Sequence, residues 1–174
     1  SDFNKMTENF KFSESNVEFR KKNLINFIDK GFPNKRIEDW KFSDLNQIIS
    51  SNIENLSFYD DKTYEPKEQI SLINKFEHNK IIFINGAISK VDIKHEDDTK
   101  VLINNDLDLS NNTNEINPLV SLNHALASAH IGIIVKENYS LNKPLILYNI
   151  TTEDVNSTAL NLRTDIKLEK NSSL

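Results

Sequence analysis

From Leu160 to Glu169 the chain alternates with a period of two. Leu160, Leu162, Thr164, Ile166 and Leu168 fall on one side, and Asn161, Arg163, Asp165, Lys167 and Glu169 on the other. A helix cannot sort residues this way; a strand with one dry and one wet face does. The C-terminal part must therefore build sheet, and shorter runs agree. Lys80–Ile84 is β-branched and apolar, and it meets Asn85-Gly86. Both of those residues tolerate positive φ, so the pair is a strong hairpin signal, with Ala87–Ser89 as the returning strand. Val101–Ile103, Ile131–Val135 and Leu145–Ile150 are further strand candidates.

The N-terminal part has the other period. Ser15-Asn16-Val17-Glu18 fits a capping box, and Val17, Leu24, Phe27 and Ile28 recur near helical spacing. Gly31 suits the left-handed position after a helix and Pro33 blocks continuation, so a helix is predicted over Val17–Lys30. A short helix follows Ser43, with Leu45, Ile48 and Ile49 on one face and Ser43 or Asp44 as cap. Tyr59–Pro66 reads as loop and Gln69–Phe76 as a helix facing Ile70, Ile73 and Phe76 inward. Pro118–Ala129 carries the stripe Leu119, Leu122, Ala125, Leu126 and Ala129, with proline in the first turn.

The late strands and tight loops suit stacked rungs of a solenoid, which needs several rungs and capped ends. Leu174 follows the last strand directly. The expectation is that the natural protein continues, or that another chain covers this edge. An uncovered edge also predicts self-association of this segment through it.

Composition removes several functions. The formal charge is −5, and the longest basic run, Arg20-Lys21-Lys22, sits inside a helical pattern. That is a solvated helix face and no footprint for nucleic acid. With no cysteine, neither disulfides nor thiolate ligands are available. The first residues lack the apolar stretch of a signal peptide, and no apolar run approaches spanning length, so a cytoplasmic protein without a membrane segment is expected.

No motif points to catalysis. His124 and His130 are spaced wrongly for a helical zinc pair, and His130 reads as the end of the fourth helical pattern, a cation at the negative dipole end. His78 and His95 have no partner motif. Asp106–Ser110 starts like a calcium loop, but Asn111 replaces the required glycine and Asn117 the closing glutamate. Three glycines, at 31, 86 and 132, cannot make a phosphate loop. No catalytic, cofactor-binding or metal residue is therefore assigned.

The most distinctive stretch runs Gly31-Phe32-Pro33-Asn34-Lys35-Arg36-Ile37-Glu38-Asp39-Trp40-Lys41-Phe42-Ser43-Asp44-Leu45. Read by physics alone, it joins two helices, with Trp40 as core anchor and Arg36 paired to Glu38 or Asp39. If Trp40 is core, Trp40→Ala should cost about 3–5 kcal/mol.

This stretch resembles the N-terminal signature of the SufD family: Gly-x-Pro after a helix, an arginine, an acidic pair, Trp-Lys, an aromatic, a small polar residue and leucine. Here these are Gly31, Pro33, Arg36, Glu38, Asp39, Trp40, Lys41, Phe42, Ser43 and Leu45. Phe42 stands where the family more often has tyrosine. Ile81–Gly86 is similar to that family's strand ending in Asn-Gly. Leu122–Leu126, Gly132–Val135 and Lys143–Leu145 are similar to the passage from helix into sheet shared with the paralogue SufB.

The resemblance implies an α+β chain. An N-terminal helical domain, residues 1–78, is followed over 79–174 by the first rungs of a right-handed parallel β-helix (β-solenoid), truncated, with a helix inserted near 118–129. It implies a non-catalytic scaffold that pairs with SufB and with the ATPase SufC through regions beyond this segment. The whole complex handles the iron–sulfur cluster and this segment binds none. Two other readings stand beside it. One is a secreted β-solenoid enzyme acting on polysaccharide, which would need an export signal and clustered carboxylates. The other is a stand-alone interaction module.

Overall fold

The computed structural model describes residues 1–59, 71–104, 117–153 and 155–174. The chain divides into two compact units. One takes Ser1–Asp61, Asp108–Ser128 and Asn156–Asn161; the other takes Lys62–Leu107, Ala129–Val155 and Leu162–Leu174.

The first unit is helical. Helix α1 (Asp2–Phe10) was not expected, although Phe3, Met6 and Phe10 are spaced for it. Met6 is fully buried, and the Asp2 carboxylate accepts the Phe58 N–H at 2.8 Å. Helix α2 (Glu14–Lys30) begins earlier than the predicted capping box, because Ser13 and not Ser15 takes the cap and accepts from the Asn16 N–H. At its other end Gly31, at φ 68, donates to the Phe27 carbonyl at 2.7 Å. A short 3-10 turn (Glu38–Trp40) and α3 (Leu45–Asn52) follow. Helix α4 (Pro118–Leu126) packs on α2 and α1. Phe3, Met6, Phe27, Leu122, Ala125 and Leu126 form the core, edged by Phe12, Leu24, Phe32, Phe58 and Tyr59. Ile28, expected on the inner face, is 66% exposed, while Arg20 and Asn23 occupy that face.

Arg20 explains the exchange. Its Nη1 donates to the carbonyls of Ala125 (3.3 Å) and Ala127 (2.9 Å), and its Nε to Asn16 Oδ1 (2.6 Å). The guanidinium also lies 4.0 Å from the Phe12 ring centroid. The last turn of α4 leaves carbonyls without intrahelical partners, and a buried cation from α2 satisfies them.

The second unit contains β1 (Asn79–Ile84), β2 (Ala87–Asp92), β3 (Val101–Asn104), β4 (Ala129–Val135), β5 (Leu145–Ile150) and β6 (Leu162–Leu168). The strands make two three-stranded sheets, ordered β2-β1-β5 and β3-β4-β6. Each joins one antiparallel and one parallel pair: β1 with β2 and β5, β4 with β3 and β6. The expected β-helix, right-handed, parallel and truncated, is corrected here. A solenoid winds each strand parallel to its neighbour. Asn85 (φ 48) and Gly86 (φ 85) instead fold β2 straight back on β1, and β3 runs against β4. The molecule is α+β with small mixed sheets.

Ile81, Phe83, Val101, Ile131 and Ile133 fill this unit's core. Asn138 and Asn171 both hold left-handed backbone, φ 59 and 58, and Asn171 Nδ2 donates to Asn138 Oδ1 at 3.0 Å. Beside them Ser173 Oγ donates to Ser140 Oγ at 2.8 Å.

Other expectations need correction. Residues 71–76 of the predicted Gln69–Phe76 helix are not helical; 69 and 70 lie outside the described residues, as do residues 60–66 of the predicted loop. The fourth helix stops at Leu126, and His130 belongs to β4. Among the described residues no helix is long and apolar enough to cross a membrane.

Candidate functional site

The distinctive stretch after α2 folds as a closed loop. Phe32 sets its root, edge-on to Phe27 with centroids 5.1 Å apart and stacked on Phe58 at 6.3 Å. Pro33 is fully buried. The loop closes where the Leu45 N–H donates to the Pro33 carbonyl at 3.1 Å. Between these ends the backbone bonds to itself: Ile37 N–H to Asn34 O, Trp40 to Ile37, Lys41 to Glu38 and Ser43 to Trp40. Asn34 Oδ1 also accepts the Arg36 N–H at 2.9 Å, and Asp44 caps α3 by accepting from Gln47 at 3.0 Å. A compact surface loop held by its own hydrogen bonds is a common carrier of function.

Its side chains point outward. Phe42 is 88% exposed, Ile37 39%, and Arg36, Glu38, Asp39 and Lys41 are exposed. Trp40 is half-buried and lies outside both core clusters, so it is not the core anchor expected. Glu38 pairs with Lys41 at 2.9 Å in place of the expected Arg36. Lys41 Nζ sits 5.3 Å from the Phe42 centroid. Such a surface offers recognition: an apolar ring, cations and carboxylates on one ordered loop.

Among the described residues, the second unit holds the most elaborate polar cluster, and no local sequence pattern announced it. Glu96 Oε1 accepts from Asn79 Nδ2 (2.6 Å) and the Lys143 N–H (3.1 Å). Its Oε2 accepts from the Tyr139 hydroxyl (2.9 Å), the Asn142 N–H (2.9 Å) and Asn142 Nδ2 (3.3 Å). Burial alone would raise this carboxyl, but the Asn142 N–H, the Asn79 amide, the Tyr139 hydroxyl and the Lys143 N–H outweigh it and hold it below the ordinary value. A carboxylate with its lone pairs filled is a weak base, so Glu96 is a clamp and not a proton acceptor.

The histidines are dispersed. The Phe76 carbonyl lies 3.0 Å from His78 Nδ1 and can only accept, which assigns the proton to Nδ1. His78 Nε2 is hydrogen-bonded to the Tyr148 hydroxyl at 2.8 Å. His130 Nε2 donates to Asp165 Oδ2 at 2.7 Å, beside Arg163 Nε at 2.7 Å from the same oxygen. Burial would raise the Asp165 carboxyl, but the bonds from Arg163 and His130 keep it below its usual range. His124 meets Phe19, centroids 5.6 Å apart. His95 contributes its carbonyl to Asn142 Nδ2. Among the described residues no three His, Cys, Asp or Glu gather as a metal group. The rejected calcium-like stretch Asp106–Ser110 lies outside the described residues.

No protein-family model matches the chain, and a search of the curated proteins finds no match either.

Proposed function

We propose that this chain is a SufD-like, non-catalytic scaffold segment of a SufBCD-type complex that assembles and passes on iron–sulfur clusters in the cytoplasm. The observation that carries the reading is the Gly31–Leu45 loop. The residues that resemble the SufD signature form one closed, self-bonded loop that turns Arg36, Glu38, Asp39, Lys41 and Phe42 to solvent. Ordered surface loops commonly carry function, and an exposed aromatic ring among charges of both signs supports the reading. The reading leans on this loop and on the order of the three motifs, not on a solenoid.

In this role the segment binds no cofactor itself. The cluster is the cargo of the assembled complex, and SufB-like and SufC-like partners are engaged through regions beyond this segment. The test is co-expression of the full-length natural protein with SufB and SufC homologues under reducing conditions. A stable three-component complex is expected on affinity purification. A protein that elutes alone sinks the proposal.

A further inference from the structure

The hairpin turn between β1 and β2 is the chain's single Asn-Gly step. Its φ values, 48 at Asn85 and 85 at Gly86, are those of a type I′ turn, and Ile84 faces Ala87 across it. The Asn85 side chain is tied down. Its Nδ2 donates to Thr152 Oγ1 at 2.7 Å, and its Oδ1 accepts the Thr152 N–H at 2.8 Å. The Asn85 N–H donates to the Ile150 carbonyl at 2.9 Å. Three bonds thus clip the turn to the end of β5 and the residues that leave it.

Asparagine before glycine carries its own chemistry. Glycine has no side chain to shield its backbone nitrogen. That nitrogen, after giving its proton to solvent, can attack Asn85 Cγ. The Cγ–Nδ2 bond then breaks, Nδ2 takes up a proton and leaves as ammonia, and a five-membered succinimide remains. Water adds across one of the two ring C–N bonds and gives aspartate or isoaspartate. The closed clip opposes this sequence. The leaving nitrogen is the one that Thr152 holds, so its hydrogen bond must be given up. The ring also takes in the Cα–C bond of residue 85 and flattens the torsion there, which the left-handed turn does not allow.

We propose that Asn85 is a modification site, an intramolecular deamidation gated by the Asn85–Thr152 clip: slow while β1 and β5 are paired, fast once they part. The turn thereby keeps an irreversible record of opening. Isoaspartate adds a methylene to the main chain between residues 85 and 86, and the loop length of a hairpin fixes its register. A chain modified in this way while open cannot restore the pairing of Ile84 with Ala87. The proposal does not depend on the scaffold reading, because the chemistry is read on this chain alone.

The test is peptide mass spectrometry at mildly alkaline pH, separating asparagine, aspartate and isoaspartate at position 85, on the folded chain and on the same chain in urea. The folded chain should react at least about tenfold more slowly, because the hydrogen bonds to Thr152 have to be given up first. Across low urea concentrations the rate should rise in step with hydrogen exchange of the Asn85 N–H. Thr152→Val keeps the branched shape and removes the hydroxyl. It should speed the folded reaction several-fold and leave the reaction in urea unchanged, with circular dichroism to check that the variant is folded. Equal rates in the folded chain and in urea overturn the proposal. So does a folded Thr152→Val chain that reacts no faster than the parent, or a rate that stays flat while the Asn85 N–H exchanges faster.

Discussion

The helical unit and the sheet unit each fasten backbone groups with one charged side chain, buried in the first and half-buried in the second, and they use it in opposite ways. In the first, Arg20 is a cation spent on carbonyls: it closes the end of α4 and fixes that helix to α2. In the second, Glu96 is an anion surrounded by donors from β1 and from the segment joining β4 to β5. Helices leave unsatisfied carbonyls at a known place, their last turn, so one well-placed arginine suffices. Loops between strands scatter their N–H groups, so a carboxylate that accepts several at once is the economical fastener. The sign of the fastening charge follows from which backbone groups the architecture leaves open.

That contrast can be broken at three points. Arg20→Ala should have the largest effect, roughly 3 kcal/mol, because it strands buried carbonyls as well as removing packing. Denaturant unfolding measures the loss, and hydrogen exchange should place it first in α4. An unchanged midpoint would mean that α4 needs no cationic cap.

Glu96→Gln should cost about 2 kcal/mol, since an amide presents its own N–H groups to donors. It also changes the acid limb. The Glu96 carboxyl is held below its ordinary 4.5 in the fold, so its contribution is complete above that value and disappears as pH falls through the lower folded pKa. The parent should lose stability more steeply than the variant on acidification below about pH 4.5. Parallel acid curves would remove Glu96 from the ledger.

Phe42→Ala should be the mildest, within about 0.5 kcal/mol, because the ring is solvent-exposed. A shift above about 2 kcal/mol, of the size that core truncations give, would show that the loop is structural, and its reading as a docking element would fail.

Local signals in the sequence carried far. The periodicity that marks α2 and α4, a cap at Ser43 or Asp44 and the Asn85-Gly86 turn were all legible, because each is decided within a few residues. Helix α1 has the same kind of local mark, in Phe3 and Met6 at helical spacing. What could not be read was direction and company. Whether β3 runs along β4 or against it depends on partners far apart in the chain, and the solenoid expectation failed there. The inward face expected of Gln69–Phe76 failed similarly over residues 71–76, since apolar residues at helical spacing do not oblige a helix to form. Glu96 gathers donors from residues 17, 43, 46 and 47 positions away, so no window along the sequence could contain the cluster. The Gly31–Leu45 loop was conspicuous in sequence, yet the outward aim of Phe42 and the marginal burial of Trp40 were visible only in three dimensions.

The paired left-handed asparagines carry a final implication. A chain so poor in glycine bends with asparagine, and at 138 and 171 the residue that makes the bend also joins one bend to the other. Shape and adhesion are therefore inherited together at these sites. Glycine would preserve the path of the backbone and forfeit the link, and a β-branched residue would forfeit both. Few replacements leave that corner of the molecule intact.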